Sequence, residues 1–206
     1  MLVGCVVCGA AGQSPCRRCS SRLQRADPPC PAGLESCVAG FLYDEVGRTV
    51  IGALKYRNQR QSLAWMAALI AQLLGATGAT PDVVTWIPTS ARRRRRRGFD
   101  QSELLARRVA RRLDLPVKQL LRPASTSDSP SQTGLDAVGR YRRAAFRPRP
   151  GATGRSVLVV DDVLTTGASM EAAASAILSG GARAVHGAVA AYTPAPAERT
   201  PGGVDA

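Results

Sequence analysis

Residues 157–160, Val-Leu-Val-Val, form an apolar run without alternation, the pattern of a strand covered on both faces in a parallel sheet. Residues 83–87 and 184–191 read as two further buried strands, the second following the Gly180-Gly181 helix stop. Elsewhere the period changes to that of a helix. Leu104, Leu105, Val109 and Leu113 share one helical face with arginines on the other, and Asp100 with Glu103 makes a capping-box-like start. Residues 63–74 predict a buried amphipathic helix, and the alanine-rich residues 170–178 predict another. Strands interleaved with helices predict an α/β fold, a parallel sheet flanked by helices.

The strand at 157–160 ends in Asp161 and Asp162, at the edge where ligands of parallel sheets sit. Adjacent acceptor-only carboxylates suit the vicinal hydroxyls of a ribose. Leu164, Thr165, Thr166, Gly167, Ala168 and Ser169 then turn the chain into a helix whose first N–H groups and dipole suit a phosphate. Gly167 lets the backbone approach closely. Strand, paired acid, small-residue turn and helix, in that order, read a sugar phosphate.

Residues 157–169 closely resemble the phosphoribosyl pyrophosphate signature of type I phosphoribosyltransferases. The resemblance implies that Asp161 and Asp162 are the catalytic acids on the ribose hydroxyls, and that residues 164–169 cradle the 5-phosphate. It also implies Mg2+, which bridges the pyrophosphate and the ribose hydroxyls in such a site.

The 206 residues accommodate one full-sized α/β core and a small appendage. The net charge of +13, carried almost wholly by arginine, points to anionic partners, phosphates or nucleic acid. Aromatic residues make up only 4%, too few for a base-stacking platform to be a strong expectation. No export signal opens the chain, and residues 63–80 are too poor in apolar side chains to cross a membrane. A cytoplasmic location without membrane insertion is therefore expected, where disulfides are uncommon.

Cys5-x-x-Cys8 and Cys16-x-x-Cys19 are two knuckles seven residues apart, the spacing with which four thiolates close around a structural Zn2+. Cys30 and Cys37 belong to no close pair and are either remnants of a second site or packing residues. A zinc knuckle ahead of a phosphoribosyl motif resembles the ComF family, as do Phe41-Leu42-Tyr43-Asp44, Leu54-Lys55-Tyr56, Arg97-Gly98-Phe99-Asp100-Gln101, and the set Gln132, Leu135, Arg140 and Phe146. Asp100 departs from that family's asparagine. In the resemblance the loop after Pro88 faces the pyrophosphate, Arg97 contacts an anion and Gly98 permits the turn; the rest of residues 92–97 is either a solvated basic loop or a set of further anion contacts.

The polar residues 125–134 are either a closing loop over the reacting centre or a passive surface loop, residues 147–155 read as a linker, and residues 194–206 as a disordered tail. The division expected is 1–38 zinc knuckle, 39–193 phosphoribosyltransferase-like domain, 194–206 tail. His186, the single histidine, reads as a core residue, which leaves Ser-His-Asp chemistry without a base. Tyr192 is either a surface tyrosine or a base-stacking one.

The expected activity is a glycosyltransferase that moves ribose 5-phosphate from phosphoribosyl pyrophosphate to an acceptor the sequence does not name. The alternatives are a non-catalytic ComF-type protein that handles single-stranded DNA in competence, and a regulator that senses phosphoribosyl pyrophosphate.

Overall fold

The computed structural model describes residues 4–124 and 146–194. Four strands, β1 (Ser36–Leu42), β2 (Val83–Trp86), β5 (Ser156–Leu164) and β6 (Ala184–Tyr192), form a wholly parallel sheet in the order β1-β6-β5-β2. Two short strands, β3 (Leu121–Pro123) and β4 (Phe146–Pro148), pair antiparallel beside it. The sequence reading of residues 147–155 as a linker is thus corrected at its start, because Arg147 and Pro148 pair with Arg122 and Leu121.

The side-chain period of two explains the unbroken apolar run in β5. Leu158 and Val160 pack on one face against helices α2 (Glu45–Arg57), α3 (Leu63–Ala76) and α5 (Gln101–Leu113). Val157 and Val159 pack on the other against α6 (Ala168–Ser179). All four valine and leucine side chains are fully buried, which is why neither face alternates with polar residues.

Caps set the ends of the helices around the sheet's carboxyl edge. Asp44 accepts from the Gly47 N–H at 2.8 Å to start α2, and Asn58 ends it in the left-handed region. Asp100 starts α5, but only half of the expected capping box forms. Glu103 turns to Arg107 at 2.8 Å, its neighbour one helical turn on, instead of reaching back. The arginine run is not a loop. Residues 91–97 form helix α4 (Ala91–Arg97), opened by the Ser90 hydroxyl and closed by Gly98 at a φ of 78°. Arginine is a good helix former, and cations in the last turn meet the negative end of the helix dipole.

The amino-terminal segment carries the short helix α1 (Arg17–Ser20) and docks on the α2–α3 junction. Val6 joins the core there, and Ser14 Oγ meets Ser62 Oγ at 3.1 Å. β1 begins at Ser36, so the sheet spans the 38/39 division read from the sequence. His186 is buried in β6 and pairs with Ser36 Oγ at 2.9 Å, towards the amino ends of the strands. Tyr192 is also buried, within the core under α6, and is neither a surface residue nor placed for stacking. Among the described residues no helix is long and apolar enough to cross a membrane.

Gly47 sits where α2 leaves β1, and a β-carbon there would collide with the Leu42 carbonyl and the Phe41 ring. Gly47→Ala is expected to cost about 1–3 kcal/mol, the usual penalty for overpacking, seen as a lowered urea midpoint with an unchanged slope.

Candidate functional site

β2 stops at Trp86, opposite Val160, whereas β6 continues to Tyr192. β5 therefore runs four residues past its β2 partner, paired on one side only, and the two acids lie within the strand and not in a loop after it. On the side vacated by β2 opens a cavity of about 720 Å³. Asp161, Asp162, Thr165 and Ser169 line it from β5 and the following turn; Arg93, Arg96 and Arg97 line it from α4. Two other hollows, along α3, contain no carboxylate.

Each acid has its own donors. Asp161 accepts from the Ser102 hydroxyl at 2.6 Å and from the Asp162 N–H at 2.8 Å. Asp162 is paired with Lys55 at 3.0 Å. Burial, with the neighbouring Asp162 charge adding to it, pushes Asp161 up to about 7 despite its hydrogen bonds and the Lys55 ammonium.

The turn after β5 encloses a hollow of about 40 Å³ lined by Asp161 and residues 163–170. Leu164 sends its side chain into the core and its carbonyl to the Thr193 N–H, so it contributes only backbone. Gly167 has a φ of 82° and is the N-cap of α6; Thr166 and Ala168 are exposed at the rim. The hollow thus faces the amides of the first turn of α6, where the Ala168 N–H reaches Thr166 Oγ1 at 3.5 Å.

Asp100 ties the arginine helix to this site. Its two oxygens accept from the Thr89, Ser102 and Glu103 N–H groups at 2.8, 3.1 and 3.3 Å, which fixes the Pro88–Ser90 turn against α5 and points Ser102 at Asp161. An asparagine has one acceptor oxygen, so it could not serve both sides. Burial raises the Asp100 pKa even against these three bonds. Arg97 lies 5.3 Å from the Tyr56 ring centre, and its buried Nε has no partner among the described residues. Gly98 is outside the cavity wall; it ends α4.

The sequence did not mark Lys55, Ser102, Gln101, Arg93 or Arg96 as site residues. Gln101 is 1% exposed, faces the cavity and has an Nε2 with no partner among the described residues. A signal for Lys55 was available, since it and Lys118 are the only lysines among 28 basic residues. Residues 125–145, with the expected closing loop and Gln132, Leu135 and Arg140, lie outside the described residues, as do residues 195–206.

At the amino terminus the Sγ atoms of Cys5, Cys8, Cys16 and Cys19 all lie within 4.8 Å of one another, and Cys8 and Cys16 are 3.7 Å apart. Tetrahedral Zn–S bonds of ~2.3 Å put sulfurs about 3.8 Å apart, so the four fit a zinc ion. Burial opposes the Cys5 thiolate, but N–H donors, Cys16 N–H at 3.3 Å among them, bring its pKa down to about 6. Burial and the neighbouring thiols push Cys19 up to about 12. Cys30 and Cys37 do not join the cluster; burial, with a smaller effect from Cys30, pushes Cys37 up to about 12.

Asp161 is raised above its unfolded value near 3.8, so the folded protein holds a proton that the unfolded chain releases first. Its contribution to stability is complete at low pH and is lost as pH rises to about 7. Urea midpoints measured from pH 5 to pH 7 are expected to show a smaller decline in Asp161→Asn than in the unsubstituted protein.

Residues 100–202 match the model of the phosphoribosyl transferase domain. The chain is 30% identical over 190 residues to the DNA utilization protein YhgH of Salmonella typhimurium (88% of this chain, 80% of the relative). It is 30% identical over 199 residues to YhgH of Escherichia coli K12 (88% and 86%). Among solved structures, TT1426 from Thermus thermophilus is 27% identical over 64% of this chain and 74% of its own, with a TM-score of 0.42. Domain match, relatives aligned over 88% of the chain and the four-cysteine cluster agree, and the chain belongs to the ComF family of phosphoribosyl transferase-domain proteins.

Proposed function

We propose that this protein binds phosphoribosyl pyrophosphate, or a related ribose 5-phosphate ligand, with Mg2+ and transfers the phosphoribosyl group to an acceptor. The observation that supports this reading is the placement of Asp161 and Asp162 side by side in a 720 Å³ cavity, next to the α6 turn and opposite three arginines. The amides and hydroxyls of residues 165–169 hold the 5-phosphate, and the two acids accept hydrogen bonds from the ribose hydroxyls. Arg93, Arg96 and Arg97 face the pyrophosphate as it leaves with the electrons of the C1–O bond. The carboxylates then stand near the positive charge that develops on the sugar.

Asp161 and Asp162 offer an all-oxygen donor set of the kind Mg2+ takes, and they are the residues that would hold it; the ion supplies positive charge for the departing pyrophosphate. The four-cysteine cluster would hold a structural Zn2+. The reading includes a cytoplasmic location, with all six cysteines reduced. The domain division carried with it is a zinc knuckle, a phosphoribosyltransferase-like domain and a tail, with the first boundary ahead of β1 at Ser36.

A second reading, handling of single-stranded DNA without phosphoribosyl transfer, is favoured by a specific feature of α4. Arg92, Arg94 and Arg95 are exposed and lie outside the cavity lining, so half of the arginine run is left for an external polyanion. The relatives' name, DNA utilization protein, is in keeping with it.

Three measurements test these readings. Calorimetric titration with phosphoribosyl pyrophosphate and Mg2+ should show binding, with pyrophosphate released when a competent acceptor is present. Asp161→Asn with Asp162→Asn should lower the affinity at least about tenfold and abolish release. Saturable sugar binding without turnover under any acceptor would favour the regulator. A gel shift with single-stranded DNA that survives the double aspartate change but is lost when Arg92, Arg94 and Arg95 become glutamine would place DNA on the outer face. Metal analysis of reduced protein should find one zinc per chain, and none after Cys8→Ser with Cys16→Ser.

A further inference from the structure

The last turn of α2 sends three consecutive side chains to three different parts of the molecule. Lys55 reaches Asp162 at 3.0 Å, Tyr56 lies 5.3 Å from the Arg97 guanidinium, and Arg57 Nη2 donates to the Val6 carbonyl at 3.4 Å. Successive residues of a helix are about 100° apart, so one turn meets the acid pair, the arginine helix and the cysteine knuckle at once. Val6 lies in the sequence between Cys5 and Cys8, two of the four clustered cysteines. A second anchor follows the turn. The Val6 N–H donates to Ser14 Oγ at 3.0 Å, and Ser14 Oγ meets Ser62 Oγ at 3.1 Å, both hydroxyls being buried. The knuckle thus grips the chain at Arg57 and at Ser62, on both sides of residues 58–61, the connection that follows the last turn of α2.

The chemistry at this turn is specific. In a chain that uses arginine almost everywhere, position 55 carries one of two lysines. A compact ammonium neutralises Asp162 without the wide fork of a guanidinium, which would fill the space beside the acids. The knuckle has little core of its own, so its shape depends on what ties its thiols.

We propose that the four-cysteine knuckle is a positioning element of the sugar-phosphate pocket: tied by zinc, it holds the last turn of α2 so that Lys55 stays on Asp162. Released, the turn loosens, Lys55 leaves, and two neighbouring carboxylates are left to repel each other at the ligand's place. Lys55 is a positioning residue that acts through Asp162. The inference rests on the reading of the pocket given above.

Two readouts test it. The first needs no ligand: acylation of amines followed by peptide mass spectrometry, with the exposed Lys118 as reference in the same chain. Removing zinc from the full chain should raise Lys55 labelling severalfold against Lys118, and adding zinc back should restore it. Ser62→Ala, which keeps all four cysteines, should raise Lys55 labelling with zinc content unchanged. The second is calorimetry with ribose 5-phosphate. Zinc removal should weaken binding about tenfold, Lys55→Met should weaken it similarly, and zinc removal from Lys55→Met should add little. Unchanged Lys55 labelling overturns the coupling, as does an undiminished zinc effect in Lys55→Met, which would mean general loosening. If labelling responds but the zinc-loaded protein binds no ribose 5-phosphate, the coupling stands and the pocket reading falls.

Discussion

Two adjacent carboxylates at the end of a buried strand must be compensated where they stand, and much of the surrounding structure supplies that compensation. Each acid loses hydration and each raises the charge density around the other. Asp161 answers with a hydroxyl from α5 and a backbone N–H, Asp162 with an ammonium from α2. The hydroxyl and the ammonium come from helices that pack on the same face of the sheet, so the core formed by α2, α3 and α5 also sets the geometry of the acids. Even so, the balance leaves Asp161 with an appetite for a proton close to neutrality. Strain of this kind is common where a ligand is expected to supply the missing compensation.

The arginine run shows how the helical period turns a simple repeat into two surfaces. Six consecutive arginines in α4 carry one charge type, yet three face the cavity and three do not. The Ser90 and Gly98 caps fix where the helix begins and ends, and Asp100 fixes its approach to α5. An acid at position 100 is suited to that task because it accepts on both oxygens, joining the turn before α4 to the first turn of α5. The departure from the family's asparagine therefore has a structural reason in the Thr89 contact.

The amino-terminal knuckle belongs to the same construction. It is joined to the α2–α3 junction by a buried hydroxyl pair and by Val6 in the core, and that junction directly follows the residues that meet Asp162 and Arg97. The four-cysteine cluster and the acid-lined cavity thus meet at one helical turn.

From residue order alone, the strand at 157–160, the acid pair, the turn at 164–169 and the helix beyond it were legible, because they are contiguous and each follows from local period and chemistry. The cysteine spacing was legible for the same reason. That residues 91–97 are helical was not legible, because the cap at Ser90 and the dipole that favours cations at the far end are subtle signals beside an unbroken run of one residue type. Tyr192 was misjudged because burial depends on what packs above a strand end. Lys55, Ser102 and Gln101 were beyond reach of pattern: Ser102 meets Asp161 across 59 residues of chain, and only the packing of α5 on β5 brings them together. Local order determined which groups this protein owns and the order in which they meet a strand end. The tertiary structure decided which charges face one another, because that depends on where separate helices pack against a common sheet and on how far β2 extends beside β5.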